Sequence, residues 1–266
     1  MRAATAALRR ALNTRERLPI LAGLGATIAL AWAYLLYMAW GMEHMDVGID
    51  MLLMPRMTDW GAVDLALVFL MWTVMMVAMM LPSSLPMMMA FRSEPRHDAA
   101  GSWAPRIVGF VAGYLMVWSG FSAAMTLIQW ALLEVRWVSP MMDSRSPLLA
   151  SLLLVAAGAF QFTPLKHACL STCRSPLSFL MTEWRPGVRG AWIMGLRHGL
   201  FCTGCCWLLM ALLFVLGVMN VAWIAVLTAF VLLEKTLPSA RWVSAASGVV
   251  LIAWGAWLLR SAALAA

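Results

Sequence analysis

Hydrophobic positions in this chain fall in long unbroken stretches, not in the alternating stripes of a helix that faces water. The runs lie near 18–40, 61–81, 107–133, 148–164, 190–217, 219–237 and 243–260. Crossing a bilayer takes about 20 apolar residues in a helix, and each run approaches that length. The pattern therefore predicts an all-α fold: a polytopic membrane helix bundle of about seven transmembrane helices. The first run, Leu18 to Trp40, follows a basic stretch and contains no small-residue cleavage site, so it reads as an anchor. The fourth closes at Pro164, and the fifth is long enough to tilt or to extend past the interface. A brief turn at Met219–Asn220 makes the fifth and sixth runs an antiparallel hairpin. Pro82 and Pro86 are expected to end or break the second helix. No repeat or linker divides the chain, which reads as a basic tail, 1–17, and one transmembrane domain, 18–266.

Charge between the runs orients the bundle, because basic residues collect on the cytoplasmic side. The tail holds Arg2, Arg9, Arg10, Arg15 and Arg17 against one acid, whereas segment 41–60 holds one arginine against Glu43, Asp46, Asp50 and Asp59. Segment 82–106 carries Arg92, Arg96 and Arg106, and segment 165–190 carries Lys166, Arg174, Arg185 and Arg189. The alternation places the N-terminus in the cytoplasm, loop 41–60 outside and loop 165–190 inside.

Composition narrows the function classes. The chain is 63% hydrophobic and only 12% charged, against about 25% charged in a soluble domain. In a soluble protein the +7 net charge would point to nucleic acid. Here it follows from basic loops, so lipid bilayer and not nucleic acid is the expected partner. The chain shows no phosphate-cradling glycine loop, no Ser–His–Asp signature and no nucleotide motif, which argues against pumping driven by this chain alone and assigns no catalytic residue.

The candidate chemistry is soft-metal binding. In the run Arg197-His198-Gly199-Leu200-Phe201-Cys202-Thr203-Gly204-Cys205-Cys206, helical spacing puts His198, Cys202, Cys205 and Cys206 along one face. Three thiols and an imidazole suit Cu(I) or Zn(II) over Mg(II) or Ca(II). At about 1.5 Å per residue, Cys202 lies ~18 Å into its helix, near mid-membrane. Gly199 and Gly204 would admit a close neighbour. Thiols at that depth are costly unless they serve a function, although a single buried Cys is ordinarily a small hydrophobe.

Three further segments extend the set. His167, Cys169 and Cys173 lie at the cytoplasmic end of the fourth run, where a transient metal site and an ordinary basic loop are both open readings. Met71, Met75 and Met79 stack at helical spacing with Met76 and Met80 beside them, a thioether path for Cu(I) or plastic core packing. The outward loop has Met42, His44 and Met45, then Met51, Met54 and Met57, which form a capture patch or a solvated acidic loop. Asp64 and Glu234 are candidate proton-coupling carboxylates or interfacial acids, with Glu234 beside Lys235. Arg197 would pair with an acid or polarise the thiols.

Met71-Trp72 through Met79-Met80-Leu81-Pro82, Gln161-x-x-Pro164-Leu165-Lys166-x-x-Cys169, Gly204-Cys205-Cys206-Trp207-x-x-Met210 and Leu232-Leu233-Glu234-Lys235 together resemble a bacterial membrane domain family of unknown function, described as predicted metal-binding integral membrane proteins. The resemblance spans residues 60–240 and implies a membrane protein that binds metal.

The leading expectation is a soft-metal protein of the bacterial inner membrane, handling Cu(I) ahead of zinc, with haem a weaker variant. A membrane thiol–disulfide oxidoreductase using Cys202 and Cys205 is the enzymatic alternative. A metal-loading subunit with a membrane or periplasmic protein partner is the third.

Overall fold

The computed structural model describes residues 14–43, 60–93, 103–135, 146–237 and 240–265. The regular structure there is helical: α1 (Thr14–Glu43), α2 (Ala62–Ser93), α3 (Ala104–Glu134), α4 (Pro147–Phe160), α5 (Pro164–Arg174), α6 (Pro176–Glu183), α7 (Gly187–Ala211), α8 (Leu213–Leu216), α9 (Val221–Thr236) and α10 (Ala240–Ala265).

Each apolar run becomes a helix, but the runs are not equal in length. Among the described residues, five stretches are long and apolar enough to cross a membrane: Leu18–Gly41, Ala62–Arg92, Ala104–Glu134, Gly187–Leu216 and Arg241–Leu264. The pair α4–α5 adds a sixth if its 63° bend lies within one span. The expected count of about seven exceeds this for a geometric reason. The 14 residues of α4 and the 16 of α9 rise only ~21 and ~24 Å against a core of about 30 Å.

The 165–190 segment, expected to be a loop, folds as α5 and α6. Local sequence explains it: Thr163-Pro164 and Ser175-Pro176 repeat the Ser146-Pro147 start of α4, placing proline where a helix needs no N–H donor. The Thr163 hydroxyl accepts from the Lys166 N–H at 3.3 Å, and Ser146 accepts from Leu149 at the same distance. Gln161 to Thr163 form the break between α4 and α5.

Pro82 and Pro86 do not end α2, which runs on to Ser93. Pro82 has no N–H to give the Ala78 carbonyl, and the Trp32 indole of α1 donates to that oxygen at 3.2 Å. A neighbouring helix thus replaces the missing ladder bond.

Glycine sets the tightest packing, between α3 and α7. A Cβ on Gly113 would collide with the Trp192 carbonyl, and one on Gly195 with the Phe110 carbonyl. Gly109 and Gly199 extend the contact by one turn at each end. Two small-x-x-x-small ridges, Gly109/Gly113 and Gly195/Gly199, therefore interlock, the pattern that lets helix backbones meet. The expected turn after α8 is present: Gly217 takes φ 89°, and the Asn220 side chain then caps α9 by accepting from the Trp223 N–H at 3.3 Å. Large apolar side chains face outward, among them Leu30 at 72% exposure and Trp242 at 81%, a surface suited to lipid.

Candidate metal centre

Interlocking with α3 fixes the rotation of α7, and this turns Cys202, Cys205 and Cys206 into the core. The sulfurs of Cys205 and Cys206 fold back on the Cys202 carbonyl, each at 3.0 Å. On the next face Gly204 meets α5, where a Cβ would lie 2.8 Å from the Cys169 sulfur. That approach sets α5 beside the thiol face of α7, where Cys173 interacts electrostatically with Cys205, and Cys206 with both Cys202 and Cys205. From α2, the Met80 sulfur lies 3.9 Å from that of Cys206. The three buried thiols of α7 and the buried Met80 thioether of α2 thus lie together, with the half-buried Cys173 of α5 at their edge. This sulfur cluster brings together the thiols of the central stripe, one thiol of the 167–173 segment and one member of the methionine stripe.

Two groups around Cys202 were missed by sequence reasoning. The Tyr114 hydroxyl lies 3.1 Å from its sulfur and donates to the Met80 carbonyl at 3.0 Å. The Lys235 ammonium lies 3.0 Å from the same sulfur and 2.8 Å from the Ser83 hydroxyl. The available signals were a tyrosine within an apolar run and a lysine ending a helix too short to carry it clear of the bundle. Arg197, expected either to pair with an acid or to polarise the thiols, pairs with an acid, Glu183.

Chemically, the cluster offers up to four thiolates, a thioether and one fixed positive charge. Such donors suit a soft monovalent ion. Among the described residues, no three His, Cys, Asp or Glu side chains stand together in a ready metal-binding geometry. The hydrogen bonds that Cys205 and Cys206 make to the Cys202 carbonyl turn two sulfurs aside, and rotation about χ1 would release them.

A family model described as copper chaperone, PpoB2, matches residues 69–258. The chain belongs to that family. No protein of curated function and no solved structure matches it. Membership in the copper chaperone family supports a copper-related function with a metal ion as partner, and the matched span contains every sulfur of the cluster.

Other expected residues lie in this copper-chaperone span but outside the sulfur contacts. His198 is buried one turn before Cys202, its ring set against Phe110, Tyr114 and Phe179 at centroid distances of 5.9, 5.7 and 5.5 Å, and its Nδ1 has no hydrogen-bond partner. His167 is half-buried on the first turn of α5 and makes no hydrogen bond to the cluster. Met71, Met75, Met76 and Met79 are buried along α2, continuing from Met80 toward the helix start. Met42, His44 and Met45 precede the family match; His44 and Met45 lie outside the described residues, as does the placement of the Met42 side chain. Asp64 accepts the Gly61 N–H at 2.9 Å at the start of α2. Glu234 is not paired with its neighbour Lys235. It is buried and takes the Lys166 ammonium on both oxygens at 2.8 Å, with the Ser244 hydroxyl donating at 2.6 Å.

Proposed function

We propose that this chain binds Cu(I) in the sulfur cluster of Cys173, Cys202, Cys205, Cys206 and Met80, and hands it on within the bacterial inner membrane. The observation that carries the reading is the meeting of the α2 thioether with the buried thiols of α7, where α5 packs closely with two further thiols. In an oxidising compartment thiols are lost to disulfides, so the cluster belongs on the reduced, cytoplasmic side of the bundle. That agrees with a cytoplasmic N-terminus and with α9 completing a seventh, shortened span inside the bundle. Cys169, His167 and the arginines around them mark the entry or exit on that side. The methionines of α2 provide a thioether path toward the far side, where Met42, His44 and Met45 receive or release the ion.

The test is elemental analysis of the detergent-purified protein beside a variant with Cys202, Cys205 and Cys206 all changed to Ser. Stoichiometric copper that disappears in the variant supports the reading. Protein that neither carries copper nor takes up added Cu(I) overturns it.

One observation favours a second reading. Cys173 of α5 interacts electrostatically with Cys205 of α7, on two helices that approach closely where Gly204 faces the Cys169 sulfur, an arrangement open to a redox pair. Thiol trapping after oxidation separates the two: a reversible Cys173–Cys205 disulfide in metal-free protein would indicate a thiol–disulfide oxidoreductase.

A further inference from the structure

We propose that Lys235 sets the charge of the ion this site accepts, admitting a monovalent soft cation and rejecting a divalent one. The inference rests on the copper reading above. Lys235 comes from α9, a helix that contributes no sulfur, and its ammonium reaches Cys202 at 3.0 Å. Its other hydrogen bond, to Ser83, is to a neutral group. Among the described residues no carboxylate pairs with it. The acid beside it in sequence, Glu234, is committed to Lys166 and Ser244. The cluster sulfurs are therefore the only anionic partners offered to this cation among the described contacts.

An ion entering among those sulfurs meets a fixed positive charge at short range in a poorly screened interior. The repulsion scales with the charge of the incoming ion, so a divalent metal suffers twice what a monovalent one does. Charge balance points the same way for a site that uses two thiolates: those two, one ammonium and one monovalent ion sum to zero, which suits an apolar core, whereas a divalent ion needs a third thiolate to reach balance. Coordination number adds to this. The lysine occupies part of the Cys202 sulfur and favours a low-coordinate ion, while structural Zn(II) wants four full donors.

The experiment is competition between Ag(I), a redox-inert substitute for Cu(I), and Zn(II) on the purified full chain, comparing wild type with Lys235→Leu and Lys235→Arg. Wild type should take up Ag(I) and exclude Zn(II). Lys235→Leu, which removes the charge and adds no donor, should raise the Zn(II)-to-Ag(I) affinity ratio by about tenfold or more, and Lys235→Arg, which keeps the charge, should hold the wild-type ratio. An unchanged ratio in Lys235→Leu overturns the proposal while leaving the copper site standing. If Lys235→Leu does not fold, Lys235→Gln carries the same comparison. Wild type alone also decides, because Zn(II) bound as tightly as Ag(I) overturns the charge filter. Wild type that binds no Ag(I) overturns the copper reading itself.

Discussion

Lys166 and Glu234, far apart in sequence, meet in a fully buried two-oxygen ion pair at 2.8 Å that ties α5 to α9. Ser244 extends the tie to α10. Because α5 also carries Cys169 and Cys173, this pair holds the thiol-bearing half of the bent α4–α5 unit against the bundle. Removing one charge strands the other in an apolar interior, at a cost of about 3–5 kcal/mol. Lys166→Met and Glu234→Leu should each lower stability by that order in thermal or denaturant unfolding in detergent. The double variant Lys166→Met/Glu234→Leu should recover much of the loss. Full additivity of the two single losses would contradict the pairing.

The α3–α7 interface yields a second prediction. Any side chain on Gly195 meets the Phe110 carbonyl, so Gly195→Ala must push the helices apart. Such overpacking costs about 1–3 kcal/mol. Since the same interface sets the rotation of α7, copper retention should fall together with stability. Gly23→Ala is the control, as its Cβ would meet nothing within 4 Å. It should stay within about 0.5 kcal/mol of wild type. Equal effects at the two positions would refute the interlocked geometry.

The Trp32 indole and Pro82 make a third pair that can be tested. Trp32→Phe leaves the Ala78 carbonyl without a donor and should cost about 1–3 kcal/mol in unfolding measurements. Pro82→Ala supplies that oxygen with an ordinary helical N–H. In the Pro82→Ala background the hydrogen-bond part of the Trp32→Phe loss should therefore vanish. A loss of the same size in both backgrounds would show that the indole acts through packing alone.

Long apolar runs made the helices legible, because burying or lipid-solvating 20-odd residues leaves a composition signal that needs no tertiary knowledge. The thiol stripe was legible for a related reason: Cys202, Cys205 and Cys206 share a helical face whatever surrounds them. What remained hidden depends on other helices. Lys235 drew notice only as the neighbour of Glu234, because nothing local shows that its end of α9 lies beside Cys202 of α7. Glu234 was read with its chain neighbour, although consecutive helical side chains diverge by about 100° and cannot share a partner easily. The prolines of α2 were read as breaks because the donor that rescues Ala78 sits on α1. Local rules describe an isolated helix, and each of these misreadings was decided by an adjacent one.

The last prediction separates imidazole from sulfur within the stripe itself. His198 shares the face of Cys202, yet its ring packs against Phe110, Tyr114 and Phe179. Those contacts hold the ring by its faces and edges, and reaching the sulfurs would require breaking the stacking. Cys205 and Cys206, by contrast, need only side-chain rotation to present their sulfurs. His198→Phe should therefore keep stoichiometric copper after purification, with the aromatic packing preserved by a ring of similar shape. Cys202→Ser with Cys205→Ser should lose it. Metal content per chain, measured on the variants side by side after the same chelator wash, makes the comparison. Loss of copper in His198→Phe with normal unfolding behaviour would put the imidazole among the ligands and require the ring to leave its aromatic contacts when metal binds.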